Sequence, residues 1–133
     1  MKLLSNVLWF GQVVAVTEAM LLGRALGLDP VRLRGMLAER AGGSILLERD
    51  YAAVLQGQYM PSFGIDRVVE QLNTARVLAE AHRVPFELTA LVERIHRQTL
   101  QRYGPIEGEL LAARLLEERS GSMLRGESRG RDR

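Results

Sequence analysis

The sequence of 133 residues contains no cysteine and a single lysine, Lys2, since the other members of its 18 basic residues are arginines. The absence of cysteine excludes disulfide bonds, thiolate zinc sites and cysteine nucleophiles, and it is compatible with a cytoplasmic location. No stretch alternates β-branched or aromatic residues with polar ones as a strand does. The chain is therefore predicted to be all-α.

Sequence motifs for cofactor binding and for catalysis are also missing. The sequence has no glycine-rich turn for a dinucleotide, no P-loop, no Ser-His-Asp set and no glutamate-rich metal helix. His82 and His96 have no second histidine or carboxylate at ligand spacing, which favours surface or packing roles and predicts no metal site. From the residues alone, the chain neither holds a nicotinamide cofactor nor breaks a bond unaided.

Positive charge is concentrated at the C-terminal end. The net charge is +2, and residues 119–133 carry +3 of it because they hold five arginines against Glu127 and Asp132. Residues 1–118 therefore carry −1. They are predicted to form one helical domain without a basic face for nucleic acid, whereas residues 119–133 are predicted to be a basic, disordered tail.

Capping signals divide residues 1–118 into about six helices. Gly27 ends the first helix, Asp29 and Pro30 begin the second, and Ser44 and Ser62 are predicted to cap the third and fourth. The predicted helices span residues 2–26, 30–40, 45–56, 65–83, 87–102 and 106–118. Apolar residues at helical spacing are predicted to face the core at positions 65, 68, 69, 72, 75 and 79 of the fourth helix and 88, 91, 92 and 95 of the fifth.

The first helix is apolar over more than one face, which predicts that a second subunit or another domain covers part of it. A membrane span or export signal is not favoured, because polar or small residues interrupt the run at Ser5, Asn6, Gly11, Gln12 and Thr17. The one acidic residue of the run, at position 18, is expected either to find a partner or to lie on an exposed stripe.

Lys2 and Asn6 lie four residues apart and therefore share one face of the first helix. An ammonium and a carboxamide that point the same way suit an oxygen-rich small molecule. Alternatively, a lysine directly after Met1 has no function. Residues 21–38 also fit a helix-turn-helix, but a DNA reader needs a basic second helix, and Glu39 and the acidic balance elsewhere do not favour one.

The segment from Lys2 to Asn6 resembles the lysine-to-asparagine motif of the β-hydroxyacid dehydrogenases, the 3-hydroxyisobutyrate dehydrogenase group. Residues 17–29 are similar to that family's Glu-Ala…Gly-Leu-Asp stretch, and residues 63–75 follow its segment of Phe, six residues, Lys-Asp-Leu, two residues and Ala. Pro85 and Gly104 also fall at family positions. The resemblance covers residues 2–118 and concerns only the family's C-terminal domain, an all-α fold like that of 6-phosphogluconate dehydrogenase.

This resemblance implies a substrate-binding and dimerisation domain of an NAD(P)-dependent 3-hydroxyacid dehydrogenase that forms a homodimer. In the family, the motif lysine is a general acid or base on the substrate oxygen while hydride passes between substrate and NAD(P). By resemblance that lysine is Lys2, and Asn6 and Ser5 bind the substrate. NAD or NADP would be held mainly by a Rossmann domain expected upstream, so the chain alone is expected to be inactive.

Three positions depart from the family pattern. The family's paired asparagines are here Ser5 and Asn6, and its Lys-Asp pair is here Glu70 and Gln71, which reverses a charge and makes Glu70 a weak candidate for cofactor contact. The family's late Gly…Asp motif lacks its aspartate, and Glu109 is the nearest acid. Two alternatives remain open: a non-catalytic helical dimerisation module, and a nucleic-acid-binding helical protein that uses its arginine-rich tail.

Overall fold

The computed structural model describes residues 1–126. Five α-helices and one irregular helical segment follow one another, and no strand occurs in this part of the chain. The helices, numbered α1 to α5, span Lys2–Ala25, Pro30–Ala38, Ile65–Ala81, Glu87–Tyr103 and Leu111–Ser120. The irregular segment is a π-helix, Leu46–Asp50, continued by a 3₁₀-helix, Tyr51–Gln56. The prediction of an all-α fold with about six helices is confirmed.

Helix α1 lies at the centre of the fold and contacts α2, α3, α4, α5 and the π-helix. Its buried residues are Phe10, Val13, Val14, Thr17, Met20 and Gly23. A helix that packs against every other helix must be apolar over a broad face, which explains its composition. Length and composition alone would also allow α1 to cross a membrane, but a core helix meets the same criterion.

The turn between α1 and α2 forms as the capping residues predict. Gly27 adopts a positive φ of 94°, and the N–H of Leu28 donates to the carbonyl of Gly23 at 3.0 Å. The side chain of Asp29 then accepts a hydrogen bond of 3.1 Å from the backbone N–H three residues on. A Cβ atom on Gly23 would overlap Cδ2 of Leu33, so this glycine permits the close approach of α1 and α2.

The inner faces of α3 and α4 differ in how well the predicted spacing describes them. All six predicted core positions of α3 are buried. In α4, Val92 and Ile95 are buried as predicted, but Leu88 and Leu91 are exposed. The buried stripe of α4 instead continues through His96 and Thr99. Leu88 and Leu91 face away from the core, beside α1.

Two predicted helix beginnings are wrong. Gly64, and not Ser62, is the N-cap of α3, while the Ser62 hydroxyl donates to Glu109 at 2.8 Å. Helix α5 begins at residue 111 instead of 106, because residues 106–110 bond to the loop before α3. The N–H of Gly108 donates to the carbonyl of Phe63 at 2.9 Å. These bonds take up the backbone groups that another helical turn would use.

The first part of the predicted disordered tail is ordered. Helix α5 continues to Ser120, and the C-terminal segment, residues 121–126, returns to the core. Leu124 is fully buried, and its N–H donates to the carboxylate of Glu117 at 2.6 Å. An apolar side chain and a buried acceptor therefore hold this segment in place. The remainder of the predicted tail, residues 127–133, lies outside the described residues.

Candidate functional site

The first two turns of α1 carry the predicted substrate-binding residues. Lys2 and Ser5 are exposed, and Asn6 is half-buried. Because α1 begins at Lys2, the ammonium stands at the helix end where unpaired backbone N–H groups give a partial positive charge. No acidic residue occurs in this first turn. The N-terminal end of α1 therefore favours oxygen atoms with negative charge or lone pairs.

Asn6 has a partner on α3. Its Nδ2 donates to Oε1 of Gln71 across 2.6 Å, in a half-buried hydrogen bond between residues 65 positions apart. This bond ties the N-terminal part of α1 to α3. The structure thus brings together the amide predicted to bind substrate and a residue that the sequence singled out only as a departure from the family pattern.

Glu70, the weak candidate for cofactor contact, is exposed on α3 directly before Gln71. Within residues 1–126, no ion pair joins its carboxylate to Lys2. Both charged side chains therefore remain accessible at the surface near the Asn6–Gln71 bond. The sequence likewise left two possibilities for Glu18, and the structure places this side chain on the exposed stripe of α1.

An apolar groove of about 300 Å³ runs between α1 and α4. It is lined by residues of α1 from Val7 to Glu18 and by residues of α4 from Leu88 to Ile95. The groove starts one residue after Asn6, and Lys2 is not part of its wall. The predicted catalytic lysine therefore lies beyond one end of this groove.

Exposed leucines surround the groove. Leu8 is 67% exposed and Leu88 is 73% exposed, and Leu4 and Leu91 are exposed beside them. We name these four residues the leucine face. A contiguous apolar surface of this kind marks an interaction site more often than scattered single residues do. The broad apolar surface predicted for the first helix is thus partly uncovered in the single chain.

A buried carboxylate fastens α4 to α3. Glu93 is 4% exposed, and its two oxygens accept from Arg76 Nε at 2.7 Å and from Arg97 Nη2 at 2.5 Å. Two guanidinium partners compensate for removal of the charge from water. This cluster could not be predicted from the sequence, because a glutamate in a polar helix is ordinarily exposed.

His96 takes one of its two predicted roles, that of a packing residue. It is fully buried, its Nδ1 lies 2.9 Å from the carbonyl oxygen of Val92, and its ring lies 5.8 Å from that of Phe10. Burial lowers the pKa of His96 to about 4, which the Val92 bond only partly offsets. Residues 1–126 contain no cluster of three or more side chains able to hold a metal ion.

Comparison with known proteins gives a family match over most of the chain. Residues 1–116 match the family model described as NAD-binding of NADP-dependent 3-hydroxyisobutyrate dehydrogenase. L-threonate dehydrogenase from Cupriavidus necator is 30% identical over 89 residues, which are 67% of this chain and 30% of that protein. A crystal structure of 3-hydroxyisobutyrate dehydrogenase from Salmonella typhimurium superposes with a TM-score of 0.78 at 22% identity. That match covers 86% of this chain and 40% of the other, so the chain spans less than half of each protein.

Proposed function

The chain belongs to the 3-hydroxyisobutyrate dehydrogenase family, and from this premise we propose that it is the C-terminal substrate-binding and dimerisation domain of an NAD(P)-dependent 3-hydroxyacid dehydrogenase. The observation that carries the proposal is the family match over residues 1–116 of an all-α chain whose first helix presents Lys2 and Asn6 on one face. We assign the fold to the 6-phosphogluconate dehydrogenase C-terminal-domain type and the protein to the cytoplasm.

The proposed chemistry of this chain concerns the oxygen of the substrate. The Lys2 ammonium donates a hydrogen bond to the oxygen on the reacting carbon, stabilises negative charge that develops there and exchanges a proton with it. Asn6 and Ser5 bind and orient the same molecule. The exposure of Lys2 and Ser5 leaves room for a second domain to cover the site and exclude water.

NAD(P) use is characteristic of the family, but the described residues do not fit a whole dinucleotide. Residues 1–126 contain no strand, and therefore no glycine-rich turn from a strand into a helix to receive a pyrophosphate. We assign NAD or NADP mainly to a Rossmann domain, with Glu70 as a weak additional contact. Residues 1–126 alone are accordingly expected to be inactive.

We assign the dimer contact to the leucine face. These exposed leucines lie on α1 and α4, next to a groove with the small residues Gly11 and Ala15 in its wall. A second copy would place its own leucines in the groove, since a two-fold axis brings the same surface patch together with itself.

The test joins the chain to the nucleotide-binding domain of a relative and follows NAD(P) reduction with a panel of 3-hydroxyacids. Replacement of Lys2 by methionine is expected to lower kcat by roughly 10²–10⁴-fold, the usual contribution of a general acid or base. Arg94→Met, at an exposed position of α4, is the matched control and is expected to retain activity. Full activity of Lys2→Met, or turnover by the chain alone, would contradict the proposal.

A non-catalytic dimerisation module is the second candidate. The charge reversal at Glu70 and the position of Lys2 outside the groove favour it. Dimers in analytical ultracentrifugation, together with full activity of Lys2→Met, would support this candidate. The nucleic-acid alternative depends on the arginine-rich tail, residues 119–133, of which residues 127–133 lie outside the described residues. It remains a prediction, which salt-dependent binding that is lost on deletion of the tail would test.

A further inference from the structure

Outward-facing apolar and small residues form one stripe along the whole length of α1. They recur every three or four residues from the first turn of the helix to its C-cap, so they share one face. The four leucines among them are 63–71% exposed, the two alanines are exposed, and the glycine is half-buried. We name this set the α1 stripe, and its members are Leu4, Leu8, Gly11, Ala15, Ala19, Leu22 and Leu26.

The α1 stripe lies opposite the buried face of the same helix. The buried residues Val13 and Met20 each precede a stripe residue, Ala15 and Leu22, by two positions. Two positions correspond to a rotation of about 200° around the helix. The stripe is about 33 Å long and about 10 Å wide, a size at which an exposed apolar patch marks an interaction site.

The order of side chains along the stripe is symmetric about Ala15. Leucines occupy both ends, small residues occupy the middle, and three pairs lie 11, 7 and 4 residues from Ala15: Leu4 with Leu26, Leu8 with Leu22, and Gly11 with Ala19. Two antiparallel copies of α1 related by a two-fold axis at Ala15 therefore set leucine against leucine and small residue against small residue. The small residues let the two helix axes approach to about 8 Å.

The groove between α1 and α4 follows the middle of this stripe. Leu8, Gly11 and Ala15 belong to its wall. In the antiparallel arrangement, Leu22 of the second copy lies against Leu8 and enters the groove beside the exposed Leu88. The leucine face and the α1 stripe then become one continuous apolar interface.

Electrostatics favour the antiparallel direction over the parallel one. A parallel pair would bring together two positive helix ends, each with the ammonium of Lys2, whereas an antiparallel pair sets each positive end against the negative end of the other helix. The N-termini are then about 36 Å apart, which leaves room for an upstream domain at each. Lys2 and Asn6 precede Leu4 and Leu8 by two positions, so they face away from the second copy.

We propose that a second copy of this chain covers the α1 stripe, with the two α1 helices antiparallel and a two-fold axis at Ala15. This inference rests on the dimer contact of the proposed function and gives that contact its geometry. Glu18 lies about 60° from Ala15 around the helix, at the edge of the interface, where its carboxylate stays in contact with water. The interface and the candidate site lie on opposite sides of α1, so the dimer leaves the site open.

Single introduced cysteines report which positions meet, because the chain has none of its own. Ala15→Cys is expected to give a disulfide-linked dimer under mild oxidation, since the axis brings the two Cβ atoms together. Ala19→Cys, at an exposed position one turn away, is the matched control. Its two copies lie about 12 Å apart along the helices and are expected not to link. Equal linking of both variants would overturn the inference.

A mixing experiment determines the direction of the helices. Leu8→Cys and Leu22→Cys are each expected to remain unlinked when oxidised alone, because the antiparallel pair separates identical positions by about 21 Å. A mixture of the two variants is expected to give the linked heterodimer. Linking of Leu8→Cys to itself, with none in the mixture, would indicate parallel helices and overturn the inference.

A charge at the axis measures the contribution of the stripe to association. Ala15→Glu is expected to raise the Kd of the dimer at least about 30-fold in analytical ultracentrifugation, the effect of losing a central hot spot. Its circular dichroism spectrum should match that of the original chain, because Ala15 is exposed. Ala41→Glu, in an exposed turn outside the stripe, should leave the Kd unchanged. An unchanged Kd in Ala15→Glu would contradict the proposal.

The outcomes separate this inference from the proposed function. Linking of Leu88→Cys without linking of Ala15→Cys would keep a dimer contact at the leucine face and overturn the axis at Ala15. A chain that stays monomeric at every concentration would overturn both. Binding to phosphatidylcholine vesicles without dimers, abolished in Ala15→Glu, would assign the stripe to lipid and overturn the inference. None of these measurements requires turnover, so they are independent of the test of Lys2.

Discussion

The chain is expected to lose stability as the pH falls from 7 to 4. Replacing His96 by leucine is expected to make this loss much smaller. His96 is fully buried on α4, against Phe10, and its Nδ1 bonds to the Val92 carbonyl. Its Nε2 has no hydrogen-bond partner within the described residues. A proton on Nε2 would therefore place an uncompensated charge in the core. This cost is the reason that the pKa of His96 falls from 6.5 to about 4.

The direction of the pH effect follows from proton binding in the two states. Between pH 6.5 and about 4, the imidazole of His96 takes up a proton in the unfolded chain but not in the folded one. Falling pH therefore favours the unfolded chain, so that the stabilisation is complete above pH 6.5 and is lost as the pH falls toward 4. The difference between a pKa of 6.5 in the unfolded chain and about 4 in the folded chain corresponds to roughly 3 kcal/mol of unfolding free energy.

Urea unfolding followed by circular dichroism between pH 7 and pH 4 measures this effect. Carboxylates also titrate over part of this range, so the informative quantity is the difference in free energy between His96→Leu and the original chain at each pH. His82→Leu, which changes the exposed histidine after α3, is the matched control and should follow the original chain. Parallel stability curves for His96→Leu and the original chain would refute the reasoning.

Two further substitutions test packing, each with a control and each measured by urea unfolding. Gly23→Ala is expected to destabilise the chain by about 1–3 kcal/mol, because its methyl group overlaps the Leu33 side chain. Gly35→Ala, with open space at its Cβ position in α2, should be neutral or stabilising, and equal effects of the two would contradict the overlap. Leu124→Ala is expected to cost about 2–5 kcal/mol, since its side chain is fully buried. Met123→Ala, at an exposed neighbour, should cost far less, and a small loss in Leu124→Ala would show that the C-terminal segment does not contribute to the core.

The helix periods could be predicted from the sequence wherever one stripe faces one core. Helix α3 is the clearest case, because all of its predicted inner positions are buried. The same rule was wrong for Leu88 and Leu91, since α4 also borders a face that a single chain leaves open. Apolar residues at helical spacing indicate which face of a helix avoids water. They do not distinguish a face that packs in the core from one that another protein covers.

Only the local part of the candidate site could be read from the sequence. The pairing of Lys2 and Asn6 rests on their spacing along one helix and stays a prediction, whereas the bond of Asn6 to Gln71 depends on how α1 packs on α3. Likewise, the bonds of residues 106–110 to the loop before α3 are long-range, and they override the local helix signal after Pro105. Contacts between distant parts of the chain leave no periodic trace in the residues that form them.

The central position of α1 has a consequence for protein engineering. Helix α1 packs against each of the other four α-helices, so a fragment that omits it loses the one packing partner that all of them share. A two-piece complementation reporter built from this chain would need α1 intact in one piece. Insertions are best placed in the turn at residues 39–42, because the chain is exposed there and an insertion would not come between α1 and the helices that pack on it.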